Sequence, residues 1–304
     1  MSAEPNPLVA ADGERWPDPG PGWRQALLRR HDTVARSLAR VHLSGTIALY
    51  DALGRAANLA GLHGPSPSQV ARLYDWLPRR DVGRVARDIS ALRAKNRVSI
   101  ALVLSDRTAD LAKRVRWSDE AGRQALAESR RGMVIVACHV GAFFGIRSAL
   151  HGTGRRVFMM RDSITPDAAS RARVLKRAVE GLGAGELIAA TLDGPGGTST
   201  HEVQCLGRRI TFRRGPFVLA RLTGAPIVPV ACAWTAGRHI EVRVAAPIAR
   251  PTRQDLDAAG FEDEMASRTA RWFDEYLRAE PQEMWPDTLR HYLAAPPASG
   301  TDAP

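Results

Sequence analysis

From residue 133 onward, five short β-prone runs, at 133–138, 156–160, 187–193, 227–234 and 239–246, alternate with segments of helical periodicity. Strand and helix in repetition fold as a sheet with helices packed on its faces. The pattern therefore predicts an α/β protein with a central, mostly parallel or mixed sheet flanked by helices. Residues 22 to about 130 carry no strong strand pattern and read as a helical N-terminal extension, with helix starts at Pro65-Ser66-Pro67-Ser68 and near Asp81. The expected organisation is a disordered tail at 1–22, a helical region at 23–130, an α/β core at 131–295 forming one domain with those helices, and a second disordered tail at 296–304.

Two helices within the core are well marked. Thr165 and Pro166 form an N-cap and first-turn pair, Ala168, Ala172, Leu175, Val179 and Leu182 repeat at helical spacing, and Gly183 ends the helix. Phe261, Met265, Thr269, Trp272 and Tyr276 form a second stripe, read as core. In the N-terminal region Leu38, Val41, Leu49, Ala52, Leu53, Ala56 and Ala60 outline an amphipathic helix, while Asp51, Arg55 and Asn58 make 41–62 a poor membrane span. The plainer expectation packs that apolar face on the domain. The sharper one lays it on a membrane surface, aided by Arg29, Arg30, Arg36 and Arg40.

A net charge of +11 favours acidic partners such as phosphorylated cofactors, acidic carrier proteins or anionic lipid. Nucleic acid is disfavoured, because the arginines are scattered and neither zinc-ligand spacing nor an aromatic-basic RNA signature is present. Only Lys95, Lys113 and Lys176 are lysines, a bias typical of GC-rich coding that weakens any reading of individual arginines. Cys138, Cys205 and Cys232 form no paired framework and read as reduced core residues of a cytoplasmic protein. The acidic, Pro-rich N-terminus does not resemble a signal peptide.

In an open α/β sheet, ligands bind beyond the carboxyl ends of strands, and four features fall there in order. His139 follows the run 133–138 and precedes Gly141, whose lack of a Cβ would let backbone amides approach a substrate. Arg161 and Asp162 end the next run, as a substrate-facing pair or a surface ion pair. Asp193 ends the third and opens the turn Gly194-Pro195-Gly196-Gly197. In the fourth, Pro226 and Pro229 bracket a buried strand start and fix how the chain enters the sheet.

These blocks, with Arg208 to Phe217, the run Leu219 to Val230 and Glu280-Pro-Gln-Glu-Met-Trp285, resemble the lysophospholipid and glycerolipid acyltransferase superfamily, over about residues 80–293. The nearest branch is the bacterial lipid A biosynthesis (lauroyl/myristoyl) acyltransferases. The resemblance implies transfer of an acyl group from an acyl-carrier-protein or coenzyme A thioester to a hydroxyl or amine, without an acyl-enzyme or any other cofactor or metal. It makes His139 the general base. Asp193 and Asp162 are alternative acidic helpers, and Asp193 also resembles the superfamily's acceptor-binding acidic residue. Arg161 and amides near Gly141 would face the carbonyl oxygen or an acceptor phosphate. Gly194 and Arg208, Arg209, Arg213 and Arg214 belong to substrate binding, the arginines facing acidic donor groups.

The chain departs from the family at one position. The carboxylate that follows the histidine by five residues is Phe144 here. Either another carboxylate serves His139, or Phe144 lines an acyl tunnel in a protein that binds without turnover. A thioesterase, releasing acyl groups to water, is the further alternative. A Cys-His hydrolase through Cys138 is disfavoured because neighbouring strand residues point to opposite faces. The acceptor would be a lipid, a glycolipid or a secondary-metabolite intermediate, met in the cytoplasm or at the inner face of the membrane.

Overall fold

A computed structural model describes residues 22–62, 64–103, 108–160, 168–193, 199–236, 238–248 and 260–298. The architecture is α/β. Six strands form one mixed sheet in the order β1 (Val115–Trp117), β8 (Ile240–Val244), β7 (Ile227–Trp234), β2 (Met133–Ala137), β4 (Leu187–Thr191) and β3 (Val157–Met159). The four strands from β7 to β3 are parallel, whereas β8 runs antiparallel to β7 and β1 parallel to β8.

All five β-prone runs are strands. The sequence reading missed three others. Strand β1 comes from the region taken as helical and forms the sheet edge, so that region belongs to the same body as the core. At three residues it is too short to show an alternation. A separate hairpin of β5 (Thr200–Cys205) and β6 (Arg208–Arg213) also went unpredicted, although β5 alternates exposed and buried residues.

Strand β2 explains why the core reads as unbroken apolar runs. It is buried throughout, with Val134 and Val136 feeding one apolar layer and Met133, Ile135 and Ala137 the other. The first layer is completed by α2 (Pro67–Leu73), α8 (Gly215–Thr223), α9 (Phe261–Ala279) and α10 (Pro286–Ala294). The second takes residues from α1 (Gly22–Leu59) and α6 (Gly145–His151). Helix α3 (Arg79–Val103) reaches both, with Val85 and Ile89 in one and Val98 and Leu102 in the other.

Local signals hold where they fall on described residues. Ser66 caps α2 in a capping box with Gln69. The helix α7 (Ala168–Gly183) ends at Gly183 as read, whereas Thr165 and Pro166 lie outside the described residues. Met265, Thr269 and Tyr276 of α9 are buried, and Trp272 packs partly against the same core.

Helix α1 overturns the plainer expectation for its apolar stripe. Ile47, Tyr50 and Gly54 face inward, where Gly54 abuts Ala91 and Ala94 of α3. Leu38, Leu49, Ala52, Leu53, Ala56 and Ala60 are exposed instead, and Leu59 and Leu62 extend that outer face at 71% and 80% exposure. The polar residues sit partly under cover, with Asp51 paired to Arg55 and Lys95, and Arg55 to Asp88. Among the described residues, no helix is long and apolar enough to cross a membrane.

Candidate active site at the ends of strands two and four

The pairing of β2 with β4 sets the site. Ala137 lies opposite Thr191, so continuing the register by two residues brings His139 opposite Asp193. Adjacent strands are about 4.8 Å apart, within reach of a short side chain. The Asp193 carboxylate accepts the His139 amide at 2.9 and 3.0 Å through its two oxygens, and Oδ1 lies 3.1 Å from the ring Nδ1. Asp193 is 3% exposed and the imidazole 25%, so the acid is sealed beneath a base that solvent still reaches. This carboxylate, 54 residues on in the chain, stands where the position of Phe144 offers none.

Around the imidazole are aromatic rings. Phe143 lies 4.7 Å from it at 35°, and Trp285 lies 5.5 Å away at 56°. Phe144 packs against Trp285 at 5.8 Å and Phe143 at 5.6 Å. Phe143, Phe144 and Trp285 are each half-buried, giving the base an apolar wall with one open side.

Gly141 has a different role from the one expected. It takes a φ of +57°, and a Cβ there would stand 1.8 Å from the Cys232 carbonyl oxygen, so only glycine fits. Its amide donates to the Glu283 carbonyl at 2.6 Å, and that of Ala142 to Cys232 at 2.5 Å, leaving neither for a substrate. Asn96 and Trp285 both donate to the Gly141 carbonyl, at 2.7 and 2.8 Å. Thr288 donates to the His139 carbonyl at 3.3 Å. The turn is thus pinned from α3 and from the start of α10. Among the described residues the amides of Phe143 and Phe144 meet no acceptor.

The arginines are not gathered at one place. Arg208 and Arg209 sit at the turn of the β5–β6 hairpin, with Arg208 donating to the carbonyls of Ala295 and Arg72 and Arg209 paired with Glu202. Arg213 is five residues along β6, about 17 Å away, where its amide donates to the Leu192 carbonyl beside Asp193. Arg214 shares Glu262 with Arg221, at 2.5 and 2.7 Å. Burial would raise the Glu262 carboxyl, but hydrogen bonds from the two guanidinium groups hold it below its ordinary value. A donor anion would have to compete with Glu262 for Arg214. Arg161, Asp162 and Gly194 lie outside the described residues.

Cys138 is buried in the core beside this site. Burial, with the Asp193 charge next, pushes its thiol well above the ordinary range, which removes it as a nucleophile. Sequence reading gave no role to Phe143, Asn96 or Thr288, and reached Glu283 and Trp285 only as members of the run Glu280 to Trp285. Asn96 stands between Lys95 and Arg97, so no local signal marked it as buried. No family model matches the chain, and no curated protein sequence matches it.

Proposed function

We propose that this chain is an acyltransferase that moves an acyl group from an acyl-carrier-protein or coenzyme A thioester to a hydroxyl or amine of a lipid, glycolipid or secondary-metabolite acceptor. The observation that carries the reading is the His139–Asp193 pair, a half-buried imidazole whose Nδ1 faces a buried carboxylate. With Nδ1–H donated to Asp193, the lone pair lies on Nε2, the nitrogen away from the carboxylate. Nε2 takes the acceptor's proton as its oxygen or nitrogen attacks the thioester carbonyl. The resulting tetrahedral oxyanion would be met by the amides of Phe143 and Phe144. Cleavage of the carbon–sulfur bond then returns the proton from Nε2 to the leaving thiolate, giving ester or amide and free thiol. General-base catalysis of this kind contributes roughly 10²- to 10⁴-fold. The aromatic wall of Phe143, Phe144 and Trp285 is suited to an acyl chain and keeps water from the thioester.

The outer face of α1 supports a place at a membrane surface. Leu49, Ala52, Leu53, Ala56, Leu59, Ala60 and Leu62 are exposed without a charged residue among them, on a chain of net charge +11. Such a face would let the protein meet lipid acceptors from the cytoplasmic side.

The test is thiol release from a panel of acyl-carrier and acyl-coenzyme A thioesters, with and without small-molecule cell extract, for wild type and His139→Ala. Release that needs both the extract and His139 supports acyl transfer. Release independent of extract indicates a thioesterase, and full activity of His139→Ala refutes the mechanism.

A further inference from the structure

Glu283 closes the short 3₁₀ turn Pro281–Glu283 and lies under the His139 turn. It is 5% exposed, and its Oε2 is buried without a hydrogen-bond partner among the described residues. That oxygen lies 2.8 Å from where a Cβ on Gly141 would stand, while the Glu283 carbonyl accepts the Gly141 amide at 2.6 Å. Two residues on, Trp285 binds the Gly141 carbonyl and packs against His139. One short segment therefore holds the turn by two hydrogen bonds with the Gly141 backbone, one accepted by a main-chain carbonyl and one donated by the Trp285 indole, and by one aromatic contact, with a carboxyl at its centre.

The charges facing this carboxyl come from every side. Lys95 and Asp88 approach from α3, Glu280 from the same turn, Arg243 from β8, Tyr276 from α9 and Cys232 from β7. The two cations are engaged elsewhere, Lys95 with Asp51 and Arg243 with Glu241 and Glu280. A carboxylate here would be a buried charge with no direct partner, which proteins avoid by keeping the proton or by moving the group to water.

We propose that Glu283 is a positioning residue for His139: its uncharged carboxyl keeps the Gly141 turn seated, and losing the proton shifts the 281–285 segment and unseats the imidazole. Burial, foremost, pushes this carboxyl up to about 8, so the change falls just above neutral pH. The inference rests on the reading of His139 as the base, and its test separates the two.

The imidazole resonances of His139, assigned by difference from His139→Gln, are followed by NMR from pH 6.5 to 9.5 in wild type and Glu283→Gln, alongside thioester turnover. The expected result is a transition near pH 8 in wild type, in both the His139 signal and turnover, with activity about ten-fold lower at pH 9 than at pH 7. Glu283→Gln should keep the neutral-pH rate and lose the transition in both. A wild-type His139 signal without a transition between pH 7 and 9, or one that persists in Glu283→Gln, overturns the inference. If neither protein turns over thioester, the acyl-transfer reading fails, yet the NMR result still decides the role of Glu283.

Discussion

Replacing Asp193 with Asn tests the His139 dyad most directly, because the side chain keeps its shape while one oxygen becomes a donor. In the native site Oδ1 serves both the ring Nδ1 and the His139 amide, and Oδ2 serves the amide alone. An Asn cannot meet all three contacts. With its oxygen toward the ring, its NH₂ confronts the backbone N–H at about the native 3.0 Å. With its NH₂ toward the ring, Nδ1 must become the acceptor, which puts the proton on Nε2 and removes the base. In either arrangement the His139 amide keeps one acceptor and meets one opposed NH₂; both remove the negative charge that stabilises the imidazolium, and the second also reverses the tautomer. The analogous change in a serine-protease triad lowers turnover ~10⁴-fold, equivalent to about 5.5 kcal/mol of barrier, through the same tautomer reversal. Here the expected loss in kcat is about 10³- to 10⁴-fold, with KM for the thioester nearly unchanged because Asp193 lies under the base. The assay is steady-state thiol release, with circular dichroism and Tm confirming that the variant is folded. A folded Asp193→Asn with kcat within ten-fold of wild type would refute the assignment of Asp193 as the acidic partner of His139.

Other substitutions separate the remaining roles. Phe144→Asp should lower activity rather than raise it, since Asp193 already faces Nδ1 and the change removes a ring packed on Trp285; a several-fold gain in kcat would show that the dyad is incomplete. Leu53→Glu with Leu59→Glu should leave Tm within a few degrees, the sites being exposed, yet reduce co-sedimentation with anionic vesicles at least ten-fold, because each inserted leucine is worth about 1.5–3 kcal/mol. Unchanged vesicle binding would remove α1 from the membrane-facing role. Glu283 moves from an ordinary 4.5 to about 8 on folding, so the folded chain holds a proton that the unfolded chain has released, and stability falls as pH rises across that window. Urea denaturation of wild type should lose about 3 kcal/mol relative to Glu283→Gln between pH 5 and pH 8. Parallel pH dependence in the two proteins would contradict a buried neutral carboxyl.

The core strands were legible in the sequence because burial on both faces makes them continuous apolar runs that need no partner to be recognised. Strand β1 was not legible, since three residues carry no period and its identity depends on β8, 125 residues later. His139 could be named from its place after a strand. Its acid could not be chosen between Asp162 and Asp193, because that choice depends on which strand neighbours β2, and β4 rather than β3 does. Gly141 was recognised as special for its missing Cβ, but what approaches it is the Cys232 carbonyl and Glu283 rather than a ligand. The stripe on α1 was visible as periodicity, and its direction was not, because apolar spacing marks a face without saying what lies against it.

The shared register of β2 and β4 also determines where this chain can tolerate changes in length. Adding or deleting one residue inside β4 would turn Asp193 to the opposite side of the sheet and abolish the dyad at a stroke. Apart from β3, which is itself registered against β4, the intervening chain from α6 through α7 does not set the distance between acid and base, because parallel pairing rather than loop length does. Insertions there could reshape the surroundings of the site while His139 and Asp193 stay paired, and position 144, where no carboxylate stands, is free to vary without touching the pair.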